Sequence, residues 1–325
     1  MTVAVAQAHP NIAFIKYWGN TDHSLRLPAN SSISMNLSGV ETETRVTWDE
    51  RLAADTLVLN GREEPGDALT RVVQHLDMLR KRLGLGARAQ VETRNNFPTG
   101  AGIASSAAAF AALTVAGVAA AGATLTEREL TTLARLGSGS ASRSVPSGFV
   151  EWHAASTHED SYAETAFAPD HWALVDVIAV ISRAHKATGS TAGHRSADTS
   201  DLQAARVAGA ARRLEICKAA IAARDFAAFA EVVEYDSNLM HAVMMTSRPA
   251  LFYWLPGSLA LMERVRQLRH DGVRVCYTLD AGPNVHCICV REDADQVRSA
   301  LSSMSEVGEI IVASAGYGAR VTKQS

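Results

Sequence analysis

The sequence is poor in the features that mark several classes of protein. Its 325 residues include only four cysteines, none in a CxxC pair, and its formal net charge is only -3. Cysteines without metal-type spacing are typical of core thiols in a reducing compartment. A chain without excess positive charge has no general attraction to nucleic acid or anionic membranes. We therefore predict neither of these partners.

Targeting and membrane signals are also weak. The N-terminus has no basic region before its apolar residues and no small-residue cleavage site, which predicts a cytoplasmic protein. Residues 100–126 carry no charge over a membrane-spanning length, but they are mostly Ala, Gly, Ser and Thr. This composition predicts a buried helix packed closely against a sheet rather than a membrane span.

The chain has the length and composition of a globular protein with two domains of about 150 residues each. The first half is predicted to be rich in strands, with a helix over 67–84. The second half shows helical patterns at 201–223, 225–243 and 257–270, followed by strands and a helix near 293–304. This order predicts an α+β fold, and a polar stretch suggests domains at 1–184 and 185–325.

A glycine- and serine-rich segment, Pro98–Ala109, is predicted to lie between a strand and a helix. Glycines let backbone amides approach an anion, and a helix N-terminus adds partial positive charge. The segment lacks the spacing of the common P-loop, so a purely structural turn is the alternative. The candidate phosphate-binding residues are Pro98, Gly100, Gly102, Ser105, Ser106 and Ala107.

Three charged residues stand out from their surroundings. Lys16 lies inside an apolar strand pattern, where its ammonium must either snorkel to solvent or face a polar cleft. Asp280 ends an apolar strand, as a turn-initiating or a site carboxylate would. Arg143 lies among small residues, where it is either solvated or free to grip a carboxylate with two hydrogen bonds.

Five segments, taken together and in order, resemble the mevalonate diphosphate decarboxylase family of the GHMP kinase superfamily. They are NIAFIKYWGN, LPANSSISMNLSG, NNFPTGAGIASSAAA, RLGSGSASRS and DAGPN, and they span about residues 8–285. The resemblance implies a GHMP kinase fold, with a ribosomal protein S5 domain 2-like N-terminal domain and a ferredoxin-like C-terminal domain. It also implies a homodimer and an active site between the domains.

The resemblance implies a role for each matching residue. Asp280 would orient or deprotonate the 3-hydroxyl of a small phosphorylated hydroxy acid, which then attacks the γ-phosphorus of ATP. Arg143 would hold the substrate carboxylate, and Lys16 would complete the catalytic set. Substrate-binding positions would include Asn11, Tyr17, Ser138 and Ser140, while Ser106 would contact ATP. Mg²⁺ would accompany the nucleotide, and the sequence shows no metal-ligand cluster of its own.

The sequence departs from the family at two places near the substrate phosphate. The family typically has lysine where this chain has Asn20, and serine and methionine where it has Gly189 and His194. A relocated phosphate site would then use Asn20, Ser190, Thr191, His194 and Arg195. This motivates the hypothesis that the enzyme decarboxylates mevalonate 5-phosphate to isopentenyl phosphate. The alternatives are the 5-diphosphate as substrate, a mevalonate 3-kinase, or a ligand-binding module without catalysis.

Overall fold

The protein is described here by a computed structural model that covers residues 2–97, 105–184 and 189–324, without the side chains of 190 and 191. The strands are β1 (Thr2–Ala8), β2 (Asn11–Ile15), β3 (Asn20–Asp22), β4 (Leu27–Pro28), β5 (Ser32–Ser38), β6 (Thr42–Asp49), β7 (Thr56–Leu59), β8 (Arg62–Glu63), β9 (Arg88–Asn95), β10 (Phe149–Trp152), β11 (Ala163–Phe167), β12 (Leu174–Val180), β13 (Val275–Thr278), β14 (Val285–Val290), β15 (Glu309–Ala315) and β16 (Arg320–Gln324). The helices are α1 (Asp67–Leu83), α2 (Ser105–Ala120), α3 (Glu127–Gly137), α4 (Ser190–Ser196), α5 (Gln203–Ala208), α6 (Ala210–Ala223), α7 (Phe226–Thr246), α8 (Pro256–His270) and α9 (Ala294–Ser302).

The first large sheet has the strand order β16-β1-β6-β9-β7-β8, and helices α1 to α3 cover one of its faces. Helix α2 is the small-residue helix expected from the sequence, and it is buried along most of its length. A Cβ atom added at Gly117 would lie 2.8 Å from Leu79 Cδ1, while the Gly117 carbonyl accepts a hydrogen bond from Trp48 Nε1 (2.9 Å). Small side chains therefore let α2 lie close to its neighbours. No helix in the described ranges is long and apolar enough to cross a membrane.

The second large sheet has the order β11-β10-β5-β15-β12-β14-β13, with β2 paired to β5. Helices α6 and α7 pack on one face and α8 and α9 on the other, so the central strands are buried on both sides. In β12, Leu174 and Ile178 face the first helix pair, while Val175 and Val177 face the second. Burial on both faces explains the nearly continuous apolar sequence of β12 and β14.

The helices of the second half match the predicted segments at 225–243, 257–270 and 293–304. Helix α4 was not predicted, because it lies in the polar stretch that suggested the domain boundary. The predicted helix at 201–223 is divided. There the chain forms two helices, α5 and α6, which meet at Gly209. A Cβ atom at Gly209 would lie 2.6 Å from Arg213 Nη1, so glycine makes room for that guanidinium.

The two halves of the chain share sheets. Strand β12 precedes the predicted boundary at residue 184 but pairs with β14 and β15, and β16 pairs with β1. The division at residue 184 stays a prediction. The predicted mixture of helices and sheets is confirmed.

Candidate active site

Lys16 and Asp280 form an ion pair at the centre of the candidate site. Lys16 directly follows β2, Asp280 lies two residues after β13, and Lys16 Nζ is 2.7 Å from Asp280 Oδ1. The lysine side chain is 1% exposed, whereas that of Asp280 is 27% exposed. The pair thus has a buried cation and a carboxylate that solvent or a ligand can reach.

Burial and charge act in opposite directions on this pair. Burial alone would raise the pKa of the Asp280 carboxyl, but the Lys16 ammonium, together with His286 and Arg143, holds that pKa below its usual value. Burial lowers the pKa of Lys16, and the carboxylates of Asp280 and Asp236 offset only part of this effect. Asp280 is therefore an ionised carboxylate at neutral pH and can accept a hydrogen bond from a hydroxyl group.

The segment that carries Asp280 is held from both sides. On one side, the Leu279 N–H donates to Ser237 Oγ (3.0 Å). On the other, Asn284 Oδ1 accepts hydrogen bonds from the N–H groups of Ile181 (2.7 Å) and Ser182 (3.1 Å). These contacts satisfy backbone groups where β12 and β13 end, so the carboxylate projects from a rigid turn.

Arg143 is the second buried cation, and it lies in a short 3₁₀ helix, Gly139–Ser144. Its Nη1 donates to Ser32 Oγ (2.7 Å) and its Nε to Asn11 Oδ1 (3.3 Å). Burial lowers the pKa of Arg143 to about 10, with Asp280 and Tyr17 acting in the opposite direction. The guanidinium remains charged at neutral pH, and its other N–H groups could bind a carboxylate.

Asn11 and two serines connect this region to the start of α2. Asn11 Nδ2 donates to Ser144 Oγ (2.8 Å) and to the Ser140 carbonyl (3.1 Å). Ser138 Oγ lies 3.1 Å from Ser106 Oγ, in the first turn of α2. The structure therefore brings Asn11, Ser140 and Arg143 together, and it places Ser138 next to a predicted nucleotide position, Ser106.

The structure describes only part of the predicted phosphate-binding segment, Pro98–Ala109. Pro98, Gly100 and Gly102 lie outside the described residues. Ser105 and Ala107 lie in the first turn of α2, and Ser105 Oγ is buried without a hydrogen-bond partner among the described residues. A buried hydroxyl without a partner at a helix N-terminus fits the binding of an anion such as a phosphate group.

Tyr17, Asn20 and His194 form the end of the site where the sequence departs from the family. The Tyr17 hydroxyl donates to Asn20 Oδ1 (2.6 Å), and burial raises the pKa of Tyr17 to about 12. The His194 ring stacks on Tyr17 with ring centroids 4.1 Å apart, and its Nδ1 accepts the Gly19 N–H (3.0 Å). A Cβ atom at Gly139 would lie 2.5 Å from Tyr17 Cε1. Tyr17 is thus held by the His194 ring, by Asn20 and by the close approach of Gly139.

For the other predicted substrate-binding residues near His194, the structure shows fewer contacts. Arg195 is exposed, although its charge is close enough to lower the pKa of Arg26 together with the larger effect of burial. The side chains of Ser190 and Thr191 lie outside the described part of the chain.

Sequence reasoning missed a cationic cavity beside Asn20. The cavity has a volume of about 170 Å³, and its lining includes His23, Arg26, Arg71, His75 and Gly137. Burial lowers the pKa of both Arg26 and Arg71. One signal for this cavity was present in the sequence, because Arg26 is a charged residue between two leucines. Arg71 offered none, since it looks like an ordinary polar position of a surface helix.

Both halves of the chain match models of known protein families. Residues 8–163 match the family described as "Diphosphomevalonate decarboxylase-like N-terminal domain", and residues 176–319 match "Mevalonate 5-diphosphate decarboxylase C-terminal domain". The chain belongs to the diphosphomevalonate decarboxylase family. The resemblance inferred from five short segments is therefore confirmed over most of the chain.

Curated relatives and solved structures agree with this assignment. The Candida albicans diphosphomevalonate decarboxylase is 39% identical over 318 residues, covering 93% of this chain and 88% of that protein. The human enzyme is 36% identical over 312 residues, covering 87% and 76%. The Staphylococcus aureus mevalonate diphosphate decarboxylase structure matches with a TM-score of 0.94 and 35% identity, covering 99% of this chain and 98% of that one.

A structure described as MDDEF in complex with MVAPP, AMPPCP and magnesium matches with a TM-score of 0.93 and 34% identity, covering 99% of both chains. The GHMP-type fold of two domains predicted from the sequence is confirmed by these neighbours. The chain is accordingly an ATP-dependent carboxy-lyase of the mevalonate pathway by family membership.

Proposed function

We propose that the protein transfers the γ-phosphoryl group of ATP to the 3-hydroxyl of a 5-phosphorylated mevalonate and then eliminates phosphate and CO2. The observation that carries this proposal is the pair of Lys16 and the partly exposed Asp280, with the buried Arg143 close enough to affect the pKa of Asp280. An ionised carboxylate, a lysine that orients it and a separate guanidinium are the groups that this chemistry needs.

The first step forms an O–P bond and breaks the bond between the γ-phosphorus and the ADP oxygen. Asp280 accepts the hydrogen bond of the 3-hydroxyl and receives its proton as the oxygen attacks. Lys16 holds Asp280 in place and balances its charge, because the two side chains are 2.7 Å apart.

The second step breaks two bonds in the phosphorylated substrate. The C3–O bond breaks as phosphate leaves with the electron pair, and the bond to the carboxylate breaks to release CO2 and form the alkene. Arg143 binds the carboxylate before this step, with its guanidinium oriented by Ser32 and Asn11.

The start of α2 is the proposed nucleotide phosphate site. Two hydroxyl groups there can donate hydrogen bonds to phosphate oxygens. They are Ser105 Oγ, which has no partner in the part of the chain that the structure describes, and Ser106 Oγ, which is near Ser138. The described residues contain no group of three His, Cys, Asp or Glu side chains that could hold a metal ion. Mg²⁺ would be carried mainly by the nucleotide phosphates, whose charge it would neutralise.

Two phosphorylation states of the substrate are candidates. The first is mevalonate 5-diphosphate, because the matching families and relatives are named for this substrate. The prediction of mevalonate 5-phosphate finds no support in these names. It remains the second candidate because the position that usually holds lysine is Asn20, whose Oδ1 accepts a hydrogen bond from the Tyr17 hydroxyl. The homodimer and the cytoplasmic location also stay predictions.

The decisive assay measures ADP and CO2 release with ATP and Mg²⁺, using mevalonate, its 5-phosphate and its 5-diphosphate at equal concentration. We expect ADP and CO2 in equal amounts from at least one phosphorylated substrate. ADP without CO2 from every substrate would indicate a 3-kinase, and no turnover at all would indicate a binding module. Either result would contradict the proposal.

An Asn20→Lys variant should raise the preference for the diphosphate, whichever substrate the native enzyme prefers. A lysine at position 20 adds a cation next to the cavity with Arg26 and Arg71, and charge-assisted hydrogen bonds are worth about 1.5–3 kcal/mol. We expect the ratio of kcat/KM for diphosphate over monophosphate to rise roughly tenfold. Asn20→Gln is the uncharged control, and an equal change in both variants would contradict a charge effect.

A further inference from the structure

The backbone that carries Lys16 into the site is not held by a sheet. Strand β2 ends at Ile15, so residues 16–19 are buried without strand partners. Several of their backbone polar groups bond to side chains that are distant in sequence, as the Gly19 N–H does with His194, while the Gly19 carbonyl accepts the Ala29 N–H (3.1 Å). Buried backbone groups must find partners, so these side chains determine where Lys16 lies.

Arg206 holds the carbonyl side of this segment. Its guanidinium donates to the carbonyls of Lys16 (3.5 Å) and Trp18, and to Asn30 Oδ1 (2.9 Å). Asn30 Nδ2 also donates to the Lys16 carbonyl (3.0 Å), and Gln203 Nε2 to the Trp18 carbonyl (3.0 Å). Both carbonyls therefore accept from two side chains each.

Asp236 holds the amide side. Its Oδ2 accepts the Lys16 N–H (2.6 Å), and its Oδ1 accepts from Arg213 Nε (2.6 Å). Arg213 Nη2 in turn donates to the Arg206 carbonyl (2.6 Å). Asp236 is 0% exposed, Arg206 2% and Arg213 3%, so all three charges are removed from water. Burying charges is costly unless they are paired or hydrogen-bonded. Asp236 and Arg213 form an ion pair, and the Arg206 guanidinium is hydrogen-bonded to carbonyl and amide oxygens.

We propose that Asp236, Arg213 and Arg206, on helices α5 to α7, form a positioning unit that fixes the backbone of Lys16 and balances the charge behind it. These residues would act on the reaction through Lys16 and would not touch the substrate. The inference rests on the proposed function, because its main test measures catalysis.

The charges around Lys16 determine what each change should do. Asp280 and Asp236 raise the pKa of Lys16, while Arg143 lowers it. Lys16 also lies near His241, whose pKa burial lowers to about 3, and near His286, whose pKa the paired Asp176 raises against the effect of burial. Neither histidine contacts Asp236 or Arg213 in the described hydrogen bonds. Replacing Asp236 or Arg213 should therefore leave the interactions of both histidines unchanged.

Asp236→Asn and Arg213→Gln should shift the pH dependence of kcat in opposite directions. Removing the Asp236 charge withdraws support for protonated Lys16, so activity should be lost at lower pH on the basic side. Removing the Arg213 cation leaves the Asp236 carboxylate without its counter-charge, which should raise the pKa of Lys16. The loss of activity on the basic side should then occur at higher pH. We expect kcat to fall roughly 10- to 100-fold in each, because a small misplacement of Lys16 is enough, with KM changed by less than about threefold.

Glu234→Gln is the matched control. Glu234 lies two residues before Asp236 on α7, pairs with Arg269 (2.5 Å) and accepts the Tyr277 N–H (3.1 Å), away from Lys16. It should leave the pH profile unchanged. Opposite shifts in the two test variants support the proposal, and if one variant does not fold, the shift of the other in its stated direction decides.

Shifts in the same direction, or an unchanged profile, would overturn the proposal, as would failure of both variants to fold, since the unit would then serve the fold alone. The native enzyme is assayed first. Absence of ADP and CO2 release from it would contradict the proposed function itself, which distinguishes that failure from a failure of this inference.

Discussion

Replacing Asp280 by asparagine is expected to lower kcat roughly 10²- to 10⁴-fold, the range of a general base. Asparagine has the same shape but cannot take the proton of the 3-hydroxyl. ADP and CO2 release should fall together, because phosphorylation precedes elimination. Since the buried Lys16 would lose the negative charge of its partner at 2.7 Å, the melting temperature should also fall. Initial-rate kinetics and thermal unfolding measure the two effects separately.

Asp293→Asn is the control for Asp280→Asn. Asp293 is also a paired aspartate, with Arg274 Nε 2.9 Å from its Oδ2, but it lies beside α9 outside the site. Its replacement should change kcat by less than twofold. A drop in kcat of similar size in both variants would mean that Asp280 acts through stability, and an active Asp280→Asn variant would exclude the proposed role.

The sequence contained enough to find the centre of the site. Lys16 was conspicuous because a charge in an apolar strand has few explanations, and Asp280 because it ends another strand. Their distance of 2.7 Å joins residues 264 positions apart, which no local pattern encodes. The family resemblance placed them together, and the structure agrees with that placement.

The supporting residues could not be predicted in the same way. Arg213 lies in the segment AARRLEICK, where one arginine beside another looks like a solvated helix face. In the structure Arg212 is exposed, while Arg213 is buried against Asp236. Which of two adjacent arginines points inward is a matter of tertiary contacts, here the ion pair with Asp236 and the space that Gly209 leaves for the Arg213 guanidinium. The same holds for Arg71 on α1, which lines the cavity.

In the fold, too, features set by local sequence could be predicted, whereas features set by contacts between distant residues could not. Apolar runs predicted β12 and β14, and their burial on both faces explains why this signal was strong. The pairing of β16 with β1 brings the two ends of the chain together, and it depends on contacts about 320 residues apart. Neither β1 nor β16 was among the strands predicted from the sequence, and sequence patterns alone do not determine strand partners.

Arg143→Lys should lower kcat/KM roughly 10²-fold, mainly by raising KM for the phosphorylated mevalonate. Lysine keeps the charge, but it cannot bind Ser32 Oγ and Asn11 Oδ1 while offering a planar pair of donors to a carboxylate. About two hydrogen bonds to a charged group would be lost, each worth about 1.5–3 kcal/mol. The expected decrease in kcat/KM, roughly 10²-fold, corresponds to the lower of these values. Direct titration of the substrate without ATP should show the same loss of affinity.

Two further variants accompany this prediction. Ser32→Ala tests how much the orientation of the Arg143 guanidinium matters, and Arg128→Lys is the control for replacing an arginine by lysine. Ser32→Ala leaves the guanidinium intact and removes the acceptor of its Nη1, so a smaller rise in KM, about threefold, is expected. Arg128 is an exposed arginine on α3 that stacks on Tyr162, and its replacement should have no effect on KM. If Arg143→Lys instead lowers kcat with an unchanged KM and unchanged titration, the guanidinium does not bind the substrate carboxylate in the ground state. Its charge would then act only during bond cleavage, where it could stabilise the departing phosphate.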